Sequence, residues 1–138
     1  MCIYKYYKIK YILIMGFATI IREPEEDGYM RHLILFESLR DFTDEDYIGF
    51  KNDFNVLFSR DNNRENKRMI MIIDTRNIET IPISYLYDFS YNLLTIKPVA
   101  EDILRKTIIV ASGQMVIDAF KIVFMICPPI SEIEYILK

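Results

Sequence analysis

A chain of 138 residues is the size of one domain and little more, so a separate cofactor domain is not expected. It is 51% hydrophobic and 27% charged, with a mean hydropathy of +0.10, so it can bury a core and is not disordered by composition. A net charge of −3 and a pI near 5.2 offer nucleic acid no general attraction, and no nucleic-acid partner is expected.

Residues 1–10 are a basic, tyrosine-rich lead in which Lys5, Lys8 and Lys10 stand with no acid before Glu23. The apolar run that follows, 11–21, is about half the roughly 20 residues that a membrane span requires. A basic stretch ahead of a short apolar one is also the plan of a signal peptide or anchor, but no small-residue cleavage site follows it. The reading adopted is an edge strand with a ragged lead-in, and peripheral membrane contact through this segment stays open. Residues 11–23 and 29–36, rich in Ile, Tyr, Phe and Thr, flank the acidic turn Pro24-Glu25-Glu26-Asp27-Gly28 and read as a hairpin. The acid run lacks the alternating oxygen ligands and distal Glu of a calcium loop, so it is a solvated turn.

Thr43 followed by Asp44, Glu45 and Asp46 opens a helix: the hydroxyl caps free amides and the acids meet the positive end of the dipole. Tyr47, Phe50, Phe54, Leu57 and Phe58 then fall on one face, a stripe for core packing. The polar loop 59–67 leads to the continuous apolar run 69–73, which has the character of a central strand covered on both faces. Pro82 starts a second helix with Tyr85, Leu86, Phe89, Leu93 and Leu94 as its apolar face, and Pro98 stops it or lies just beyond. The basic pair Arg105-Lys106 precedes a second apolar strand, 107–111. A third helix, from about Met115 to Ile126, is apolar nearly all round and ends at Cys127-Pro128-Pro129. Residues 133–137 suit one more strand. The expectation is therefore an α/β fold, with 11–138 as a single domain and the order β-β-α-β-α-β-α. Its mixed sheet has about four to five strands, an N-terminal hairpin plus parallel βαβ units, and about three helices.

The inventory removes much chemistry. His32 is the one histidine and Cys2 and Cys127 the two cysteines, which is too few for a structural zinc site or a disulfide framework, and four scattered glycines make no phosphate loop. No metal and no cofactor are expected, and the cysteine usage suits a reduced, cytoplasmic setting. His32, with Glu37 and Ser38 downstream, and Asp74 at a strand end are the residues an enzyme would use. Neither place pairs a nucleophile with a base, so the reading is not an enzyme.

Asp27-Gly28-Tyr29 leading into HLILF, with Asp46-Tyr47 in the next helix, resembles the "GGY, apolar strand, DY" opening of divergent CRAL-TRIO (Sec14-like) lipid-binding domains. LRKTIIVASGQMVIDAFKIVFMICPPIS resembles their basic lead, "IIVHP" strand, apolar helix and proline stop, with Ala111-Ser112 in place of the His-Pro pair. The similarity covers roughly residues 27 to 138. It implies a non-enzymatic module that binds a lipid or other small hydrophobic ligand, or docks to a membrane or protein partner. It also implies that the helix spanning Met115 and Phe124 gates a hydrophobic pocket. The candidate ligand-binding residues are then Tyr85 and Phe89 on the second helix and Met115, Ala119, Phe120 and Val123 on the third. Lipid-binding members continue past the point where this chain stops, so a small or open groove is expected as much as a full cavity.

The fold is shared with STAS (SpoIIAA-like) regulatory domains, and Asp74-Thr75 resembles the place where those carry a phosphorylatable Ser or Thr. Protein docking with a phospho-switch is the alternative function, with Thr75 and Ser84 as candidate positions and structural capping as the other role for each. Tyr4, Tyr6, Tyr7 and Tyr11 suggest an exposed patch through which a homodimer forms.

Overall fold

The computed structural model describes residues 11–14, 18–26, 28–36, 43–59, 68–78 and 81–138. They form strands β1 (Tyr11–Ile14), β2 (Ala18–Glu26) and β3 (Tyr29–Phe36), helix α1 (Asp44–Leu57), β4 (Arg68–Asp74), α2 (Ile83–Ile103), β5 (Leu104–Ala111), α3 (Gln114–Ile126) and β6 (Glu132–Leu137). The strands make one six-stranded sheet in sequence order. β1, β2 and β3 pair antiparallel, and β3 through β6 pair parallel. This is the expected α/β fold with its hairpin and parallel βαβ units. The extra strand arises because two strands, β1 and β2, are described where the sequence suggested one over 11–23.

The β2–β3 turn closes on Gly28 at φ +80°, a left-handed conformation that L side chains rarely adopt, and a register shift between Glu23 and Glu26 takes up Pro24. Because β3, β4, β5 and β6 follow one another in space as in sequence, each right-handed crossover carries its helix over the same face. Register fixes what that face holds: Ile34 lies beside Ile73 and Ile73 beside Ile109, and His32, Met71 and Thr107 form the next row. Phe50, Phe54, Leu57 and Ala100 pack onto it with Ile20, Ile34, Met69 and Met71. The other face, with Ile70, Ile72, Ile108 and Val110 half-buried, has no described helix over it.

Three local features depart from the sequence expectation. Helix α2 does not stop at Pro98 but runs on to Ile103. Ala100 and Ile103 are 0% and 2% exposed, and burying an isoleucine contributes about 2 kcal/mol or more, which offsets much of the roughly 3 kcal/mol an interior proline costs. Leu94 points outward, 39% exposed, and Ser90 takes the inner position, its hydroxyl satisfied by the Leu86 carbonyl at 2.5 Å. Strand β5 begins at Leu104, directly after α2. Leu104 pairs with Met69 but Lys106 with Ile70, so Arg105 is an extra residue. That bulge turns Leu104 and Thr107 inward and leaves Arg105 exposed.

Thr43 caps α1 as its sequence indicates. Its hydroxyl accepts from the Asp46 N–H at 3.2 Å, and its own N–H donates to the Asp46 carboxylate at 2.9 Å. None of the described helices is long and apolar enough to cross a membrane.

Candidate functional site

Two apolar clefts lie between the sheet and the three helices. One is lined by Phe58, Met71, Leu93, Ile96, Leu104, Cys127, Ile130 and Ile133 and sits beneath the end of α3. The other is lined by Ile34, Phe36, Tyr47, Phe50, Ile78, Ile81, Tyr85 and Leu86, near the carboxyl ends of the strands. Phe54, Ile73, Phe89, Phe120 and Val123 line both. Each has a cavity volume of about 60 Å³. That is less than half the roughly 150 Å³ of an apolar cavity that accepts benzene, so neither cleft as it stands is lipid-sized.

The walls are carbon because the hydroxyls that reach them are already engaged. Thr75 donates to the Val110 carbonyl at 2.7 Å, and Thr107 and Ser131 bond each other at 3.0 Å. Tyr47 donates to Asp88 at 2.6 Å and Tyr85 to Asp44. Burial, and then the bond to Asp88, push the Tyr47 phenol well above its usual range, while the bonds from Tyr47 and Lys51 hold Asp88 below the ordinary carboxylate value. Cys127 is 1% exposed and its thiol is raised by burial, so it presents a neutral sulfur to the first cleft.

The helices are held unequally. Tyr47 and Lys51 of α1 both reach Asp88 of α2, Asn55 pairs with Asn92, and Tyr85 reaches back to Asp44. In α3 the side-chain hydrogen bond, Gln114 to Asp118 at 3.0 Å, stays within the helix, and among the described residues no polar contact joins an α3 side chain to another element. Apolar packing through Val116, Ile117 and Val123, each 5% exposed or less, is what seats it.

Of the residues singled out from the sequence, Tyr85, Phe89, Phe120 and Val123 come together at the clefts. Met115 stands apart in the first turn of α3, 69% exposed, and Ala119 is half-buried without lining either cleft. Thr75 is fully buried, its N–H and hydroxyl both donating to the Val110 carbonyl, so it staples β4 to β5 and its hydroxyl faces away from solvent. Ser84 is exposed in the first turn of α2, whose start at Pro82 has no side-chain cap. Sequence reasoning missed the strand residues of the walls, Ile34, Ile73 and Ile133. Their alternation marks two faces but does not say which one the helices cover.

His32 and Asp74 do not meet. His32 is 3% exposed on the helix side of β3, its Nδ1 without a hydrogen-bond partner, and burial followed by the charge of Arg22 lowers its pKa to about 4. Asp74 ends β4, where Arg76 grips its carboxylate at 3.0 and 2.6 Å; burial raises its pKa, but these bonds outweigh that and leave it lowered. Among the described residues no three of His, Cys, Asp and Glu converge as metal ligands. Tyr4, Tyr6, Tyr7, Glu37, Ser38 and most of the polar loop 59–67 lie outside the described residues. Comparison of the chain with protein-family models, with curated proteins and with solved structures finds no match.

Proposed function

We propose that the chain is a non-enzymatic binding module of CRAL-TRIO (Sec14-like) type, which takes a small hydrophobic ligand between α3 and the sheet. The observation that carries this reading is the contrast between helices. α1 and α2 are latched by hydrogen bonds, whereas among the described residues α3 closes two carbon-walled clefts through apolar packing alone. A helix held in that way can lift without breaking polar contacts, and lifting it exposes a continuous apolar floor on β4, β5 and β6. Native mass spectrometry of the intact protein tests the reading, with a co-purified hydrophobic molecule of constant mass as the expected result. Repeated absence of any ligand, together with no binding of added neutral alcohols, overturns it.

A second reading, docking to a protein partner in the manner of STAS domains, has two observations in its favour. The closed clefts are small, and the half-buried apolar face of Ile70, Ile72, Ile108 and Val110 has no described helix over it, although parallel sheets are ordinarily covered on both sides. The phospho-switch in that reading rests on Ser84, where a phosphate would meet the uncapped amides of α2. Ser84→Glu then changes the capture of a partner, and an unchanged pull-down argues against it.

A further inference from the structure

We infer that Phe120 is a partition that divides one apolar channel beneath α3 into two compartments, and that its position sets the length of ligand accepted. The inference rests on the binding-module reading above and adds to it a residue that determines specificity.

Five residues wall both clefts, and they differ in how firmly they are held. Ile73 belongs to a central strand. Phe54 and Phe89 are packed edge to face at 5.0 Å on the two helices that hydrogen bonds tie together. Phe120 and Val123 belong to α3, the helix that no polar side-chain contact ties to another element among the described residues. Val123 is short and 3% exposed, whereas Phe120 is only half-buried, and among the described residues its one ring neighbour is Phe124, at 6.4 Å in a stacked arrangement on the same helix. The Phe120 ring is therefore the part of the shared wall that can turn aside without disturbing α1, α2 or the sheet.

With that ring displaced, the compartment bounded by Cys127 and Ile133 joins the one bounded by Ile78 and Tyr85. The ring's own volume is added to the two voids of about 60 Å³, which takes the joined space past the roughly 150 Å³ that holds a small hydrocarbon. Thr75, Thr107, Ser131, Tyr47 and Tyr85 already have hydrogen-bond partners at the walls, so among the described residues nothing inside recognises a charged head group. The ligand this channel fits is a slender, uncharged apolar chain.

The test measures calorimetric binding of hexanol, short enough for one compartment once α3 has lifted, and of decanol, which spans both. It uses the full chain as wild type, Phe120→Ala and Phe120→Trp, with Phe120→Leu as the milder variant should the alanine form not fold by circular dichroism. The expected result is that the smaller side chain tightens decanol about tenfold or more while hexanol moves by less than about threefold, and that tryptophan weakens decanol about tenfold. If the two alcohols shift by the same factor, or neither shifts, the partition is overturned. Continued binding of decanol by the wild type then leaves the binding-module reading in place. If no folded form binds either alcohol, both inferences fall.

Discussion

The side-chain amides of Asn55 in α1 and Asn92 in α2 face each other in a closed ring of two hydrogen bonds, 2.9 and 2.8 Å long. Each amide satisfies the other's donor and acceptor in a half-buried seam, so removing one strands its partner. Asn92→Ala is expected to lower stability by about 1–2 kcal/mol, and the Asn55→Ala, Asn92→Ala double variant by less than the sum of the singles. Urea denaturation of the four proteins measures the coupling, expected near 1 kcal/mol. Additive losses would mean that the ring contributes nothing to the seam.

His32 predicts an acid-sensitive core. Its pKa is lowered from 6.5 to about 4 because burial, and then Arg22, disfavour the imidazolium, so the unfolded chain takes up the proton first. The contribution is fully present above about 6.5, declines as the pH falls toward 4 and is level below that, and the gap corresponds to roughly 3 kcal/mol. His32→Leu removes this dependence and also removes the unpartnered Nδ1. The difference in unfolding free energy between wild type and variant, followed from pH 7.5 to 4, should therefore carry a slope. A flat difference would show that His32 titrates in the folded protein as it does in the unfolded chain.

Much of the architecture was legible because local signals agreed with the fold. Thr43 with its acids marked a helix start, the runs 69–73 and 107–111 marked parallel strands, and Gly28 marked the hairpin turn. The departures come where tertiary packing overrides a local rule. Ile103 and Ala100 carry α2 through Pro98, a buried serine displaces Leu94 from the inner face, and the Arg105 bulge begins β5 early. The cleft was half legible for a similar reason. Phe120 and Val123 follow from helical spacing, but Met115 shares that spacing and faces solvent from the first turn, and no spacing reveals which strand face meets the helices.

Thr75 and Ser84 separate a structural hydroxyl from an accessible one. Thr75→Val removes the bond to the Val110 carbonyl but keeps the backbone N–H on the same oxygen at 2.8 Å, so the loss should be about 1 kcal/mol. Thr75→Glu forces a carboxylate into a fully buried position and should cost several times more, about 3 kcal/mol or beyond. Ser84→Glu, at an exposed site in the first turn of α2, should be neutral or stabilising by about 0.5 kcal/mol through the helix dipole. Denaturation midpoints rank the three. A Thr75→Glu protein as stable as wild type would show that the β4–β5 staple opens freely and that Thr75 is open to modification.

Pro98 supplies the sharpest check on α2. It is exposed, it lies five residues before the end of the helix, and its missing N–H leaves the Leu94 carbonyl without its intrahelical donor. The turns beyond it are held by Ala100 and Ile103 in the core, so the strain of the ring is borne within a helix that does not end there. Pro98→Ala restores the bond and the helix propensity, worth roughly 3 kcal/mol in a helix interior, against about 1 kcal/mol of extra freedom returned to the unfolded chain. A net gain of about 1–2 kcal/mol is expected, which in a chain of this size raises Tm by several degrees, about 3–8 °C. Thermal unfolding followed at 222 nm reads it directly. A lower Tm would mean that α2 ends before Pro98 and that Ile103 reaches the core by another route.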